Sequence, residues 1–351
     1  MISVGIVGAS GFTGAELLRI CATHPDFEVL VATAESQAGR SVAAVHPSLA
    51  ATYPDTELVP TDAAHLERCA SLDLVFCALP HGASQGLVGT LGTGDAAIVD
   101  LAADFRLHDP ADYDQWYGEP HGCPDRLAEF TYGLPELAGD ALVGARRIAA
   151  PGCYPTAAAL ALAPLCEAGR VATDGIVVDA ASGVSGAGRP PKETTTFAAV
   201  DGNFVAYGVF DHRHTPEIEQ TLAAAAGVTR AEVGVLFTPH LAPMTRGILA
   251  TCYARPSGAP ADTATLVDLY RQRYADHPFV VVSEQPPGTK ATLGSNTAHV
   301  SVAADPRTGW IVAMCAIDNL VKGAAGQAVQ AANVALGLGE TTGLPLAGVA
   351  P

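Results

Sequence analysis

The sequence predicts a two-domain α/β protein, with a doubly wound parallel sheet first and an α+β domain with a mostly antiparallel sheet second. At 351 residues the chain is long for a single hydrophobic core. A glycine-rich turn joins the first strand-like run to the first helical pattern. The second half is rich in strand-like runs with few helices between them, which favours an open, mostly antiparallel sheet.

The composition is that of a well-buried globular protein, with 49% hydrophobic and 16% charged residues. A formal net charge of −17 argues against a nucleic-acid partner, because binding a phosphate backbone needs clustered Lys and Arg. No run has the apolar length of a membrane span, and the first residues lack the basic flank of a signal peptide. We therefore expect a cytoplasmic protein with neither a membrane nor a nucleic acid as partner.

The eight cysteines form no C-x-x-C pair and have no cysteine–histidine spacing typical of a zinc site. In a reducing compartment we expect free thiols, of which at most one or two are reactive. No metal is predicted.

The first element is a strand at residues 2–7, followed by a glycine turn and a helix expected at 15–22. This order is typical of dinucleotide binding, because glycines let main-chain N–H groups approach a pyrophosphate at a helix N-terminus. The spacing is G-x-x-G-x-x-G rather than the commoner G-x-G-x-x-G. The residues of this turn predicted to bind a cofactor are Gly8, Ser10, Gly11, Phe12, Thr13 and Gly14.

A second strand is expected at residues 27–33, and in such a fold the residues after it select NAD or NADP. Thr33, Ser36 and Arg40 carry groups that could hold a 2′-phosphate, whereas Glu35 would repel one if it pointed inward. These residues alone leave the choice open.

Two further buried strands are predicted at residues 72–79 and 96–101, since both runs are almost entirely apolar. The first leads into a loop at Pro80, at the carboxyl edge where doubly wound sheets bind ligands. The second leads to Arg106, whose planar guanidinium suits phosphate or carboxylate, although a surface ion pair with Asp104 or Asp109 explains it equally well.

Cys153 lies just before a helix predicted from Pro155 to about Glu167, and the first domain ends near residue 150. Free N–H groups and the helix dipole favour an anion there, which lowers the pKa of a thiol. A nucleophilic thiolate is one interpretation. The other is an inert buried thiol, because free cysteine is among the most buried residue types.

A strand at residues 175–181 precedes a glycine- and serine-rich loop that begins at Ser182 and Gly183 and can either bind an anion or simply turn. Further along, Thr215 and Pro216 are expected to begin a helix, in the cap and first-turn positions. His214 would then precede the helix, with Glu217 three residues beyond. A histidine oriented by a carboxylate suits a general base.

The remaining chain supplies strands, one clear helix at residues 263–274, and a last element with small and apolar residues at helical spacing through Leu336. Its glycines and alanines permit close packing. The predicted strands are residues 232–239, 247–253, 279–283, 298–303 and 310–317.

Eight motifs together resemble the N-acetyl-γ-glutamyl-phosphate reductases of arginine biosynthesis, over nearly the whole chain. The glycine turn alone is shared with aspartate-semialdehyde dehydrogenases, whereas the cysteine and histidine motifs are more specific. The motifs are the residues 8–14, 80–82, 104–107, 132–136, 151–156, 182–188, 212–218 and 318–324.

The resemblance implies an NADP-binding Rossmann domain at residues 1–150, completed by a C-terminal helix at 319–351, and a catalytic and oligomerisation domain at 151–318. It implies that Cys153 is the nucleophile, His214 the acid/base and Glu217 the residue that orients it. We expect NADP(H) as cofactor, although Ala34 and Glu35 depart from the family's usual hydroxyl or basic residues. Further residues assigned to the cofactor are Ser36, Arg40, Pro80, Ser182, Gly183 and Asn319.

The expected reaction reduces N-acetylglutamyl phosphate to the semialdehyde through a cysteine thioester, with release of inorganic phosphate. Arg106, Arg189 and Arg246 are the predicted partners of the substrate's anionic groups. By resemblance we expect a homodimer or a homotetramer. The alternatives are a reductase acting on aspartyl or aminoadipyl phosphate, a cysteine hydrolase or acyltransferase, and a nucleotide-sensing regulatory protein.

Overall fold

A computed structural model describes residues 1–258 and 262–349, which divide by their contacts into two compact units. The first unit comprises Met1–Tyr113, Glu119–Pro151 and Ala324–Leu344. The second comprises Asp114–Gly118, Gly152–Gly323 and the described residues from Pro345 onward. The domain limits expected from the sequence, at residues 150 and 318, stay a prediction.

The first unit contains a seven-stranded sheet in the order β3-β2-β1-β4-β5-β7-β6, and every neighbouring pair is parallel. Its central strands are buried along their whole length, as expected of a parallel sheet covered on both faces. The predicted fold of this half is therefore confirmed. The strands are β1 (Ile2–Val7), β2 (Phe27–Ala34), β3 (Val59–Pro60), β4 (Leu74–Cys77), β5 (Ala97–Asp100), β6 (Thr131–Tyr132) and β7 (Arg147–Ala149).

The first helix begins at Phe12, three residues before the predicted start, because Gly11 takes an extended conformation and serves as its N-cap. Part of the glycine turn is thus the first turn of the helix. The helices of this part of the chain are α1 (Phe12–Cys21), α2 (Val42–Val45), α3 (Ala63–Ala70), α4 (Ala83–Leu91), α5 (Ala111–Tyr117) and α6 (Pro135–Ala138).

The second unit contains a mixed seven-stranded sheet in the order β12-β13-β14-β11-β8-β10-β9. The β12–β13 and β8–β10 pairs are parallel and the other four pairs are antiparallel, which confirms the mostly antiparallel prediction. The strands are β8 (Ile176–Ser182), β9 (Val205–Ala206), β10 (Val235–Leu241), β11 (Ile248–Ala254), β12 (Val280–Val282), β13 (Ala298–Ala304) and β14 (Ile311–Ile317).

A long apolar helix packs against this sheet, and its residues from Tyr154 to Cys166 are all buried. Burying each of its leucines stabilises the fold by about 1.5–3 kcal/mol relative to exposure. The helix continues through Pro164 to Glu167. The later helices are α7 (Cys153–Glu167), α8 (Phe197–Val200), α9 (Thr215–Ala226), α10 (Thr263–Arg273), α11 (Thr289–Thr292) and α12 (Gly326–Ala335).

The last element differs from the regular helix expected from its spacing. Val321–Ala325 form one π-helical turn, and α12 begins only at Gly326. The Gly323 N–H donates to the carbonyl of Asp318, five residues back, at 2.9 Å. Such turns occur frequently at functional sites.

Candidate active site

A cavity of about 1120 Å³ in the second unit is lined by both Cys153 and His214. These two residues are 61 positions apart in the sequence (214 − 153 = 61). Ser182 and Gly183, predicted to contact a cofactor, line the same cavity. The unit therefore brings a thiol, an imidazole and a glycine-rich loop to one concave surface.

Cys153 is the first residue of α7, with Gly152 as the N-cap, so the helix starts two residues before the predicted Pro155. Its side chain is half-buried and carries no disulfide. A helix N-terminus and its dipole favour negative charge, so this position favours a thiolate.

Gly323 of the π-helical turn packs against Cys153, and sequence reasoning missed it. A Cβ added to Gly323 would lie 2.7 Å from the Cys153 Cβ and 3.2 Å from its Cα. Only glycine leaves room there. The signal in the sequence was the cluster of small residues, which indicated close packing but not its partner.

Glu217 is 1% exposed, and its Oε1 accepts a 2.8 Å hydrogen bond from the Gly152 N–H. The predicted acid/base helix thus contacts the N-cap of the helix that carries Cys153. From the spacing we expected Glu217 to orient His214. The structure shows the contact with Gly152, which the spacing does not reveal. That Glu217 orients His214 stays a prediction.

His214 is the N-cap of α9, and Thr215, which we predicted as the cap, is instead the first helical residue. The His214 N–H donates to His212 Nδ1 at 3.1 Å, and the two rings lie 4.9 Å apart. Burial lowers the pKa of His212 to about 4, with Arg213 also disfavouring its charge. His212 is therefore neutral at neutral pH, and its Nδ1 is the unprotonated nitrogen.

Two tyrosines extend the polar wall of the cavity, Tyr154 beside Cys153 and Tyr207 beyond it. Their hydroxyls are 3.0 Å apart, and the Tyr154 hydroxyl donates to the His240 carbonyl at 3.3 Å. Burial raises the pKa of Tyr207 to about 12, so both phenols stay protonated.

The three arginines predicted to bind substrate occupy different environments. Arg106, in the first unit, is buried and donates to the carbonyls of Ala150 and Leu101, both at 2.8 Å. In the second unit Arg189 is exposed, and Arg246 lies 3.6 Å from a carboxylate oxygen of Asp318. Neither Arg189 nor Arg246 is among the described residues that line the cavity.

The predicted dinucleotide turn lies in the first unit and has the geometry of a close-packed strand–turn–helix. Gly8 has φ +88°, and a Cβ there would lie 2.4 Å from the Ala78 carbonyl oxygen. A Cβ on Gly14 would lie 2.5 Å from the Gly8 carbonyl oxygen, whereas one on Gly11 would come no nearer than 3.8 Å to its neighbours. Gly11 therefore leaves the helix N-terminus open to a pyrophosphate, and this cradle fits the cofactor.

Ser10, Phe12 and Thr13 are partly or largely exposed at the same turn. After β2, Ser36 and Glu35 are exposed, and Arg40 donates to the Gln37 side chain and to the Ala44 carbonyl. Thr33 is buried, and its hydroxyl lies 2.8 Å from that of Thr61.

Pro80 is exposed and begins a loop fixed by Asp104. This buried carboxylate accepts from the Gly82 N–H at 2.7 Å and lies 2.7 Å from His81 Nδ1. Burial by itself would raise the pKa of Asp104, but hydrogen bonds from His81, Ser84 and Gly82 lower it to about 2. Burial, and then the neighbouring Asp104, raise the pKa of Asp100 to about 7.

Asn319, also predicted to bind the cofactor, is 2% exposed in the second unit. Its Oδ1 accepts from the Gly247 N–H at 2.7 Å and its Nδ2 donates to the Ser185 hydroxyl at 3.0 Å. Its amide thus joins the loop after β8 to the start of β11. Gly183 lies in the same region, and a Cβ on it would approach the Arg246 main chain to 2.8 Å.

No group of three or more His, Cys, Asp or Glu side chains within residues 1–258 and 262–349 is arranged to hold a metal ion. Within the same ranges, no helix combines the length and apolar character of a membrane span.

Two family models match the chain. Residues 3–145 match the semialdehyde dehydrogenase NAD-binding domain, and residues 153–319 match the semialdehyde dehydrogenase dimerisation domain. The first covers the glycine turn, and the second begins at Cys153 and includes His214.

Curated relatives match over the full length. The N-acetyl-gamma-glutamyl-phosphate reductase of Symbiobacterium thermophilum is 50% identical over 350 residues, covering 99% of this chain and 98% of the relative. Proteins with the same name from Acidothermus cellulolyticus and Ectopseudomonas mendocina are 50% and 46% identical, covering 99% and 100% of both chains respectively.

Solved structures share the fold at low identity. Aspartate semialdehyde dehydrogenase II from Vibrio cholerae has a TM-score of 0.71 at 18% identity, covering 95% of this chain and 98% of its own. The Candida albicans aspartate semialdehyde dehydrogenase, solved with NADP, has a TM-score of 0.68 at 17% identity, with the same coverage.

Proposed function

Since the chain belongs to the semialdehyde dehydrogenase family, among the N-acetyl-γ-glutamyl-phosphate reductases, we propose that it reduces N-acetyl-L-glutamyl 5-phosphate to N-acetyl-L-glutamate 5-semialdehyde and phosphate. This reaction belongs to arginine biosynthesis. The observation that carries the proposal is the shared cavity of Cys153 and His214, with the thiol at a helix N-terminus. The full-length identity of 44–50% to reductases of this name supports the choice of substrate.

In the first step the Cys153 thiolate attacks the acyl carbon, and the bond to phosphate breaks to leave a thioester. We assign main-chain N–H groups of the first turn of α7 as the donors for the oxyanion that forms. NADPH, when bound, supplies the hydride that reduces the thioester to a hemithioacetal. The hemithioacetal oxyanion then re-forms the C=O bond as the C–S bond breaks, which releases the aldehyde and restores the thiolate. His214 supplies the proton that the departing phosphate takes up.

Glu217 has a positioning role in this scheme, because its carboxylate holds the Gly152 N–H next to the nucleophile. The neutral His212 accepts the His214 N–H and so holds the main chain at His214. We further propose that the turn at residues 8–14 holds the pyrophosphate of NADP(H), with Ser36 and Arg40 near its 2′-phosphate. We propose NADP rather than NAD because Arg40, an exposed cation after β2, can pair with a 2′-phosphate.

Residues 1–150 with 319–351 would form the cofactor domain, and residues 151–318 the catalytic domain. The second family model is named for dimerisation, and we propose that the chain works in the cytoplasm as a homodimer or homotetramer.

The test is semialdehyde oxidation that depends on added phosphate, comparing N-acetylglutamate with aspartate semialdehyde and NADP with NAD. Preference for aspartate semialdehyde would overturn the substrate assignment. Cys153→Ser should abolish turnover and leave NADP binding intact. Cys123→Ser is the matched control, since Cys123 is the other half-buried thiol and should be dispensable. Near-normal turnover in Cys153→Ser would exclude covalent catalysis at this residue.

A further inference from the structure

The cavity that contains Cys153 and His214 has two cationic lining residues, Arg213 and Lys192, which sequence reasoning did not select. Asp211 is the acidic residue of the same lining. Within the described chain, neither cation has a carboxylate at ion-pair distance. With two cations and one carboxylate, the lining carries a net positive charge in a protein whose formal charge is −17.

Arg213 is also held in place. Its guanidinium carbon lies 5.2 Å from the centroid of the Tyr117 ring, and Tyr117 is 9% exposed. A cation over an aromatic face is stabilised without losing its charge, so the group is oriented and still able to pair with an anion. Arg213 directly precedes His214 in the chain, and both residues line the cavity.

Resting on the proposed function, we propose that Arg213 binds the α-carboxylate of the substrate. The planar guanidinium presents two parallel N–H donors that match a planar carboxylate. Lys192, a compact point charge on an exposed stem, faces the same cavity and suits the phosphate. In this arrangement the carboxylate is the fixed end of the substrate, which directs the acyl carbon toward Cys153.

The experiment removes the guanidinium of Arg213 and the carboxylate of the substrate, first separately and then together. Arg213→Met is assayed with N-acetylglutamate semialdehyde and with 4-acetamidobutanal, which is the same molecule without its carboxylate. We expect kcat/KM for the first to fall about 10- to 100-fold, as for loss of a charged hydrogen bond, and for the second to stay within about threefold. Arg307→Met is the control, since that side chain is 84% exposed and is not among the lining residues.

Equal losses with both aldehydes would overturn the proposal, because the effect would not depend on the carboxylate. So would a carboxylate-dependent loss in Lys192→Met that is missing from Arg213→Met. If the wild type instead oxidises only aspartate semialdehyde, the proposed function is wrong, but the role of Arg213 in carboxylate binding can still be tested. That aldehyde also carries an α-carboxylate, and 3-aminopropanal is its decarboxylated counterpart.

Discussion

Replacing Gly323 by alanine tests whether close packing sets the position of the nucleophile. The added Cβ would lie 2.7 Å from the Cys153 Cβ and 3.3 Å from Ile317 Cδ1. Carbon atoms in contact are about 3.5–4.0 Å apart, so the two residues must separate by roughly 1 Å. The Cys153 Cβ is fixed to the first turn of α7, and Ile317 is fully buried, so neither moves freely.

Overpacking of this kind costs about 1–3 kcal/mol, of which alanine's better helix propensity offsets no more than about 1 kcal/mol. The effect on turnover should be larger, because a 1 Å displacement of a reacting group can cost about 100-fold. We expect Gly323→Ala to lower the unfolding temperature slightly and to lower kcat about 10- to 100-fold, with the NADP dissociation constant unchanged.

Gly89→Ala is the matched control. Gly89 lies within α4, is exposed, and has no heavy atom within 4 Å of an added Cβ. There alanine should stabilise by up to about 1 kcal/mol and leave turnover unchanged. The reasoning is refuted if Gly323→Ala is as stable as Gly89→Ala and turns over within about twofold of the wild type.

Three further predictions concern polar side chains of the two units. His214→Asn should lower kcat about 10²- to 10⁴-fold with little change in far-UV circular dichroism. His212→Asn should lower kcat less, because the asparagine side chain keeps an acceptor for the His214 N–H. A larger loss in His212→Asn would show that His212, rather than His214, is the general acid/base. In urea unfolding, Glu217→Ala should lose about 1–3 kcal/mol by leaving the buried Gly152 N–H without its acceptor, and Glu217→Gln should lose less; equal losses would exclude the contact as the cause. Asp100 has its pKa raised by burial from 3.8 to about 7, so the folded state loses stability as pH rises between these values. Asp100→Asn should therefore be nearly neutral at pH 4 and stabilising at pH 8, and a pH-independent difference would contradict the raised pKa.

The sequence predicted most of the sheet strands because each is an apolar run bounded by turn residues, and such runs have few alternatives. The strand at Leu74–Cys77 is an example. The end of the long helix at Glu167 was also predicted. The π-helical turn at Val321–Ala325 was not predictable, because α and π turns use the same small residues. Close packing of Gly323 on Cys153 distinguishes the π turn in the fold, and its partner is 170 residues away (323 − 153 = 170).

The candidate site likewise contains residues that the sequence predicted and residues that it did not. Local patterns selected Cys153, His214 and the glycine turn, since helix starts and glycine spacing are local signals. Of the cavity cations, Arg213 was missed because its direction depends on the loop before α9. In that loop Phe210 has φ +71° and is the non-glycine residue with a positive φ in the described chain. A phenylalanine gives no signal for a left-handed conformation, so the path of the loop to Arg213 could not be read from its residues.

The start of α7 shows how a distant contact overrides a local preference. Proline favours the first helical position, which argued for a start at Pro155. However, none of the first four N–H groups of a helix has an intrahelical acceptor, so proline is equally compatible with the third position, where it lies here. What decides between these starts is Gly152, whose N–H is bound by Glu217 from 65 residues away. That bond fixes Gly152 as the N-cap and so makes Cys153 a helical residue. The same carboxylate therefore determines both where the helix begins and how closely its dipole acts on the thiol.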